Sequence, residues 1–292
     1  MMVTLKNPRL TVEIDDLGAQ LCSVKNAGGT EYIWQADPAI WARHAPLLFP
    51  VIGRLQNGQY THQGQTYSIS NHGFARDSRF EVLEQDEARA VFRLTQSPET
   101  LAVYPFPFVL TVTYVLEDNR LTKTCRVDNP GQEEMLFELG AHDGFRAPLE
   151  PDEAMDDYAI LLPGLEAITP YGMDQEGITT PKSGTISLEG GRLPLKPSTF
   201  GLDTVILDQL PQRRAVLADK AGRPRVTLDF ADFPYLGIWT PDKPFDTNYV
   251  CIEPWSTLPD AVFVGRGLEN KQGIRRLAPG QADTLSYTTT FD

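Results

Sequence analysis

The chain has only 3 cysteines, 4 histidines and 26 lysines and arginines against 39 acids, and it has no long apolar run. Each shortage closes off a class of function. Cys22, Cys125 and Cys251 are far apart and odd in number. They fit no disulfide framework and no zinc spacing, so each is expected to be a small buried hydrophobe in a reduced, cytoplasmic protein. The formal net charge of −13 opposes nucleic acid and anionic membranes as partners. A local arginine cluster can still hold an anionic small molecule. Nothing approaches the ~18 consecutive apolar residues that cross a bilayer. The opening MMVTLKNPRL lacks the apolar stretch of a secretion signal, so neither a membrane span nor a leader is expected. Helical periodicity is scarce too. The one short helix expected is SPETLAVY, 97–104, with Ser97 as cap and Pro98 at the first position. No fixed-period repeat is present, which disfavours a propeller or a solenoid.

What is there has a period of two. Val226, Leu228 and Phe230 alternate with Thr227 and Asp229, the pattern of a half-buried strand. Phe108, Leu110, Val112 and Tyr114 share one face; a turn at 117–119 returns the chain through Thr124, Cys125, Arg126 and Val127. Similar paired strands are expected around Ala27-Gly28-Gly29, Gln63-Gly64, Gln85-Asp86-Glu87 and Gly190-Gly191. The 23 prolines and 23 glycines are spread as turn punctuation, not gathered into a linker. Many short antiparallel strands with few short helices predict an all-β fold, one large β-sandwich over 1–292. A cut into two domains within the acidic stretch EPDEAMDD, 150–157, is the competing arrangement; that stretch reads better as a surface loop.

Three stretches combine ionisable groups with neighbours that a plain strand does not need: NHGFAR with His72, ELGAHDGFRAP with His142, and YVCIEPWSTLPD with Glu253. An acid ending an apolar strand, followed by a proline that supplies no N–H, is expected to be poorly solvated with a raised pKa. That is the tuning a general base needs near neutral pH. Two histidines and a glutamate, without a nucleophilic serine or cysteine elbow, point to proton transfer without a covalent intermediate. Asp203 in GLDTV is a possible fourth polar member, and Trp239 and Trp255 can wall the apolar face of a sugar ring. Taken singly, each of these residues has a plainer reading: turn or core histidine, ion-paired strand end, turn aspartate, core tryptophan. His44 and His62 read as structural or surface. Metal ligation is the weakest option, because the histidines lack a spacing motif.

Taken together, APLLFPVIGRLQNG (45–58), NHGFARDSRFEV (71–82), GAHDGF (140–145), FGLDTVIL (200–207) and GIWTPD…YVCIEPWSTLPD (237–260) resemble the aldose 1-epimerase (galactose mutarotase) family, and within it the LacX-like branch. The resemblance implies a β-supersandwich holding a sugar in an open cleft on one sheet, with no cofactor and no metal. It implies Glu253 as base, His142 as acid and His72 as a hydrogen-bonding partner near the ring oxygen. It implies Asp203 and Arg54 as sugar-binding residues, and Asn71, Arg76, Trp239 and Trp255 complete the expected sugar-binding set. The chain departs from the pattern at Ala141 and Asp143, where relatives of this branch read glycine-glycine-histidine-proline. A carboxylate beside His142 either raises the imidazole pKa or points into solvent.

The expected function is anomer exchange of a free aldohexose by acid–base ring opening. A hexose 6-phosphate is the second substrate reading, on account of Arg54, Arg76 and Arg146 inside the motif stretches. A sugar-binding module without catalysis is the third. The expected partner is a small sugar, bound by a monomer or a homodimer.

Overall fold

The strands Val109–Glu117 and Arg120–Asp128 show how alternation builds this protein. They pair in register from Glu117 with Arg120 to Val109 with Asp128, around a turn in which Asp118 takes a φ of 51°. Leu110, Val112, Tyr114 and Leu116 are buried, while the residues between them are more exposed. In this computed structural model, residues 1–201, 204–241 and 247–292 are described.

Two large antiparallel sheets carry most of the chain. A nine-stranded sheet runs Arg192–Pro194, Ala159–Leu161, Arg214–Ala218, Pro224–Asp229, Ala282–Phe291, Arg120–Asp128, Val109–Glu117, Arg89–Thr95 and Glu81–Gln85. An eight-stranded sheet runs Thr179–Lys182, Tyr171–Met173, Val205–Asp208, Tyr235–Trp239, Tyr249–Trp255, Gly140–Ala141 and Leu47–Leu48, with Asp143–Arg146 also pairing on Tyr249–Trp255. Leu110, Val112, Leu228 and Leu285 of the first sheet share one apolar cluster with Leu236, Ile238, Val250 and Ile252 of the second. The two sheets therefore pack face to face, and burying each such side chain contributes about 1.5–3 kcal/mol. A smaller sheet of Met2–Lys6, Leu10–Asp15 and Gln20–Asn26 flanks them.

The all-β expectation is met. Among the described residues there is one α-helix, Pro98–Val103. It is capped as expected: the Thr100 N–H donates to Ser97 Oγ at 3.3 Å, and the Ser97 N–H donates to Thr100 Oγ1 at 2.8 Å. Among the described residues no helix is long and apolar enough to cross a membrane. Strand pairs form at Gln63-Gly64 and at 85–87 as expected. Around Ala27-Gly28-Gly29 the return is reduced to one bridge, Lys25 with Glu31.

The bend at Gly190-Gly191 forms the expected return only at its tip, where Glu189 bridges Arg192 and the Arg192 N–H donates to Glu189 O at 3.1 Å; beyond it the two arms part. Ile186–Ser187 pairs with Ala167–Ile168, whereas Arg192–Pro194 pairs with Ala159–Leu161. The Gly191 carbonyl accepts from the Leu162 N–H at 2.8 Å, and a Cβ at Gly191 would stand 2.7 Å from Leu162 O. That close approach draws the second strand into the nine-stranded sheet.

Candidate active site

Tyr249–Trp255 is buried along its whole length, yet its two faces meet different surroundings. Val250 and Ile252 point into the core between the sheets. Tyr249, Cys251, Glu253 and Trp255 point the other way, as the period of two requires. Gly140 pairs with Trp255 and Asp143 with Ile252. Counting inward from both pairs sets His142 opposite Glu253, and Gly237 is opposite Glu253 on the other flank. His142 Nε2 lies 3.4 Å from Glu253 Oε2.

Glycines make room on this face. A Cβ at Gly237 would stand 2.5 Å from the Trp255 ring, and one at Gly140 would stand 2.8 Å from it. Trp255 can therefore lie flat across both strands beside Glu253. Gly144 has a third crowded place, where a Cβ would stand 3.0 Å from the Trp41 ring.

The turn NHG answers to the same crowding. His72 and Gly73 both have positive φ, 62° and 72°. Glycine is required at 73 because a Cβ there would collide with the Phe49 carbonyl. The turn is closed by Gly73 N–H donating to Ser70 O at 2.9 Å, and Arg76 Nη2 donates to Asn71 O at 2.6 Å. The Gly53 N–H donates to His72 Nδ1 at 3.1 Å, while His72 N–H donates to Gly53 O at 3.0 Å. An Nδ1 that accepts leaves the ring proton on Nε2. The His72 ring stands edge-on to His142, with centroids 5.4 Å apart at 84°.

Glu253, His142 and His72 line one open cleft of about 590 Å³, with Arg54, Asn71, Arg76, Trp239 and Trp255 around them. Every expected site residue on a described position is thus brought together. Asp203 lies outside the described residues, although its neighbour Thr204 lines the cleft. Arg146, named for the phosphate reading, does not line it.

Burial sets the charge of the site. It pushes His142 down to about 3, with Arg76 and Arg43 lowering it further and only its own main chain opposing. It also holds His72 well below the usual imidazole range, with His142, Arg76, Arg43 and Arg54 adding to the effect. Both rings are therefore neutral near pH 7. Cys251 shares the face: its Sγ and the donor atoms of His142 and Glu253 lie within 4.8 Å of one another. Burial pushes the Cys251 thiol well up, so with no metal bound it is a protonated thiol at neutral pH.

Asp143 takes neither of the two directions expected for it. Alternation turns it away from His142 into the interior, where the Tyr287 hydroxyl donates to its Oδ2 at 2.5 Å. Lys123, also buried, faces it from the nine-stranded sheet, between the rings of Tyr114 and Tyr287. Burial raises the Asp143 carboxyl against the pull of Lys123 and Tyr287.

Residues 1–280 match the aldose 1-epimerase family. The chain belongs to that family. It is 33% identical over 299 residues to protein LacX, chromosomal, of Lactococcus lactis subsp. lactis, covering 100% of this chain and 99% of the relative. Its fold is similar to a solved galactose mutarotase-related enzyme of Lactobacillus acidophilus, with a TM-score of 0.93, 33% identity and coverage of 100% and 97%. A galactose mutarotase-like protein of Lactobacillus casei has a TM-score of 0.92 at 33% identity, with 100% of both chains covered. The aldose 1-epimerase family is a family of isomerases, so this chain is read as a mutarotase-like sugar epimerase.

Several cleft residues escaped the sequence. Trp41 stacks on His142, with ring centroids 5.0 Å apart at 30°, and its context WARHAP carries no chemical signature. Gly53, Met173, Asp174, Thr204 and Pro259 also line the cleft. Arg43 sits in no motif, yet it lowers both imidazoles. Gly53, Thr204 and Pro259 stand inside the motif stretches without having been singled out, whereas Trp41, Arg43, Met173 and Asp174 lie outside them and reach the cleft only through the tertiary structure. His44 and His62 are structural as expected: His44 Nδ1 meets Trp34 O at 2.7 Å, and His62 packs on Phe106.

Proposed function

We propose that this epimerase interconverts the α and β anomers of a free aldohexose, with Glu253 as general base and His142 as general acid. The observation that carries the proposal is the His142–Glu253 pair, 3.4 Å apart on the floor of an open cleft with His72 beside it. Glu253 takes the proton of the anomeric hydroxyl while His142 gives one to the ring oxygen and the C1–O5 bond opens. Burial leaves the imidazole neutral in the unliganded cleft. The proton it gives is therefore its own N–H, drawn off as charge develops on the ring oxygen, a role open to a neutral histidine held as an electrophile. After rotation about C1–C2 the ring recloses. Glu253 returns its proton to O1 and His142 recovers one from O5, so the protein is unchanged. His72, whose free proton is on Nε2, donates near the ring oxygen, and Asn71, Arg54 and Arg76 bind hydroxyls at the rim.

Anomer-exchange NMR over free and phosphorylated aldoses tests this. Glucose or galactose should exchange, and Glu253→Gln and His142→Asn should each slow turnover by about 10²–10⁴-fold with the fold intact. Near-normal exchange by either variant removes the assignment. Sugar binding without exchange by the wild type replaces the enzyme with a binding module.

A hexose 6-phosphate is the second substrate reading. Arg54 and Arg76 both line the cleft, and Arg76 Nε makes no hydrogen bond there, only an ion pair with Asp77 Oδ2 at 3.6 Å. A guanidinium in that condition suits a phosphate. Faster exchange of glucose 6-phosphate than of glucose would favour it.

A further inference from the structure

We propose that Trp41 is a positioning residue: its indole fixes the ring of His142 in the orientation that proton transfer requires. The proposal rests on the acid role assigned to His142 above.

Histidines that work as acids or bases are commonly aimed by a hydrogen bond to the second ring nitrogen. His142 lacks one. Its Nδ1 is buried and finds no partner among the described residues beyond a contact with its own main chain. Beyond its own main chain and Glu253 at 3.4 Å, the ring is held by packing. Trp41 covers its face at 5.0 Å and 30°, Trp239 meets it edge-on at 5.6 Å and 77°, and His72 closes a third side.

Trp41 is itself held with unusual firmness for a residue on a largely exposed segment. Gln35, Asp37, Pro38, Ala39 and Ala42 around it are all exposed. The Trp41 N–H donates to Asp37 O at 2.8 Å, and Trp34 Nε1 donates to Trp41 O at 2.9 Å. Both ends of the segment are tied to Gly144, two residues beyond His142: Trp34 N–H donates to Gly144 O, and Gly144 N–H donates to His44 O, each at 2.9 Å. A Cβ at 144 would stand 3.0 Å from both the Trp41 ring and His44 O, so the missing side chain is what lets the segment lie against the strand. Behind Trp41, the Tyr249 ring is nearly parallel at 5.5 Å and 6°, and Trp34 stacks on Tyr249 at 4.4 Å. Trp34, Tyr249 and Trp41 thus form a backed aromatic column that ends on His142.

The test compares wild type, Trp41→Phe, Trp41→Leu, His142→Asn and the Trp41→Leu/His142→Asn double variant, on a sugar the wild type exchanges. Trp41→Leu should lower kcat by about 10- to 100-fold, the loss expected from a small misplacement of a catalytic group. KM should stay within about threefold, because the sugar's contacts elsewhere in the cleft remain. Trp41→Phe should recover most of the rate. In the His142→Asn background Trp41→Leu should cost almost nothing, because residues acting as one unit are not additive. Trp41→Met fills similar space without an aromatic face and takes the place of the leucine variant should that one unfold. A raised KM with kcat intact, equal losses in both backgrounds, or a phenylalanine variant no better than leucine overturns the proposal. A long-range ¹H–¹⁵N spectrum of the imidazoles reads the same claim without turnover. One sharp set of His142 ring signals in wild type, broadened or split in Trp41→Leu, supports it, and unchanged signals overturn it. A wild type that exchanges no anomer sinks the acid–base reading alone, since the ring spectrum still decides the place of Trp41.

Discussion

Asp143 and Glu253 are two acids with almost the same address and opposite lives. Each is only 1% exposed, and Asp143 pairs with the residue next to Glu253 in the strand. One faces the core, bonded to Tyr287 and opposed by Lys123; the other faces the cleft beside His142. Burial alone does not distinguish a carboxylate packed into the core from the one proposed as general base. The side of the sheet does.

The largest effect that sharpens this contrast is on turnover. Glu253→Gln should lose the rate stated above while melting like wild type, whereas Asp143→Ala should keep most of the specific activity of whatever protein folds. The second effect is on stability. Asp143→Ala leaves the buried Tyr287 hydroxyl without its acceptor and Lys123 without the carboxyl that faces it, and should cost about 1–3 kcal/mol, read as a lowered urea midpoint. If Asp143→Ala were instead stable and inactive, the two acids would have been assigned to the wrong faces.

Gly237→Ala comes next. Its methyl would meet the Trp255 ring at 2.5 Å and should destabilise by about 1–3 kcal/mol, with a raised KM as the ring is pushed into the cleft. An alanine variant with unchanged stability and KM would mean that Trp255 is free to move.

The smallest effect is on pH dependence. Burial holds His142 neutral down to about 3, whereas an unfolded histidine titrates near 6.5. Between those values the unfolded chain binds more protons, so this group's contribution is intact above about pH 6.5 and is lost as the pH falls toward 3. Asp143 and Glu138, whose carboxyls burial raises, act with the opposite sign over their own range. The useful quantity is therefore the difference between wild type and His142→Asn, which should show a flatter fall of stability on acidification in the variant. The rate should also show no imidazole inflection between about pH 5 and 8. An inflection near 6.5 that disappears in His142→Asn would contradict the buried, neutral ring.

Much of the architecture was legible locally. The runs 108–114 and 226–230 bury the residues their alternation selects, and the helix at 97–104 starts with the cap its Ser-Pro opening announces. Period and turn chemistry act over a few residues, so a few residues reveal them. The bend at Gly190-Gly191 was visible as a bend, but the partner of each arm was not. That choice depends on Leu162, some thirty positions away, accepting a backbone without a side chain. His72, His142 and Glu253 could be named because each stands in a stretch of unusual composition, and the family resemblance supplied their order.

By itself the sequence determined the strand-rich class, the positions of most turns, and the three ionisable groups worth watching, since these follow from short-range sterics and from residue type. Only the tertiary structure decided that His142 faces Glu253 while Asp143 turns inward, that Trp41 arrives over the imidazole, and that both histidines lose their charge. Those outcomes depend on register between distant strands and on exclusion of water, which come into being only when the sheets close on one another.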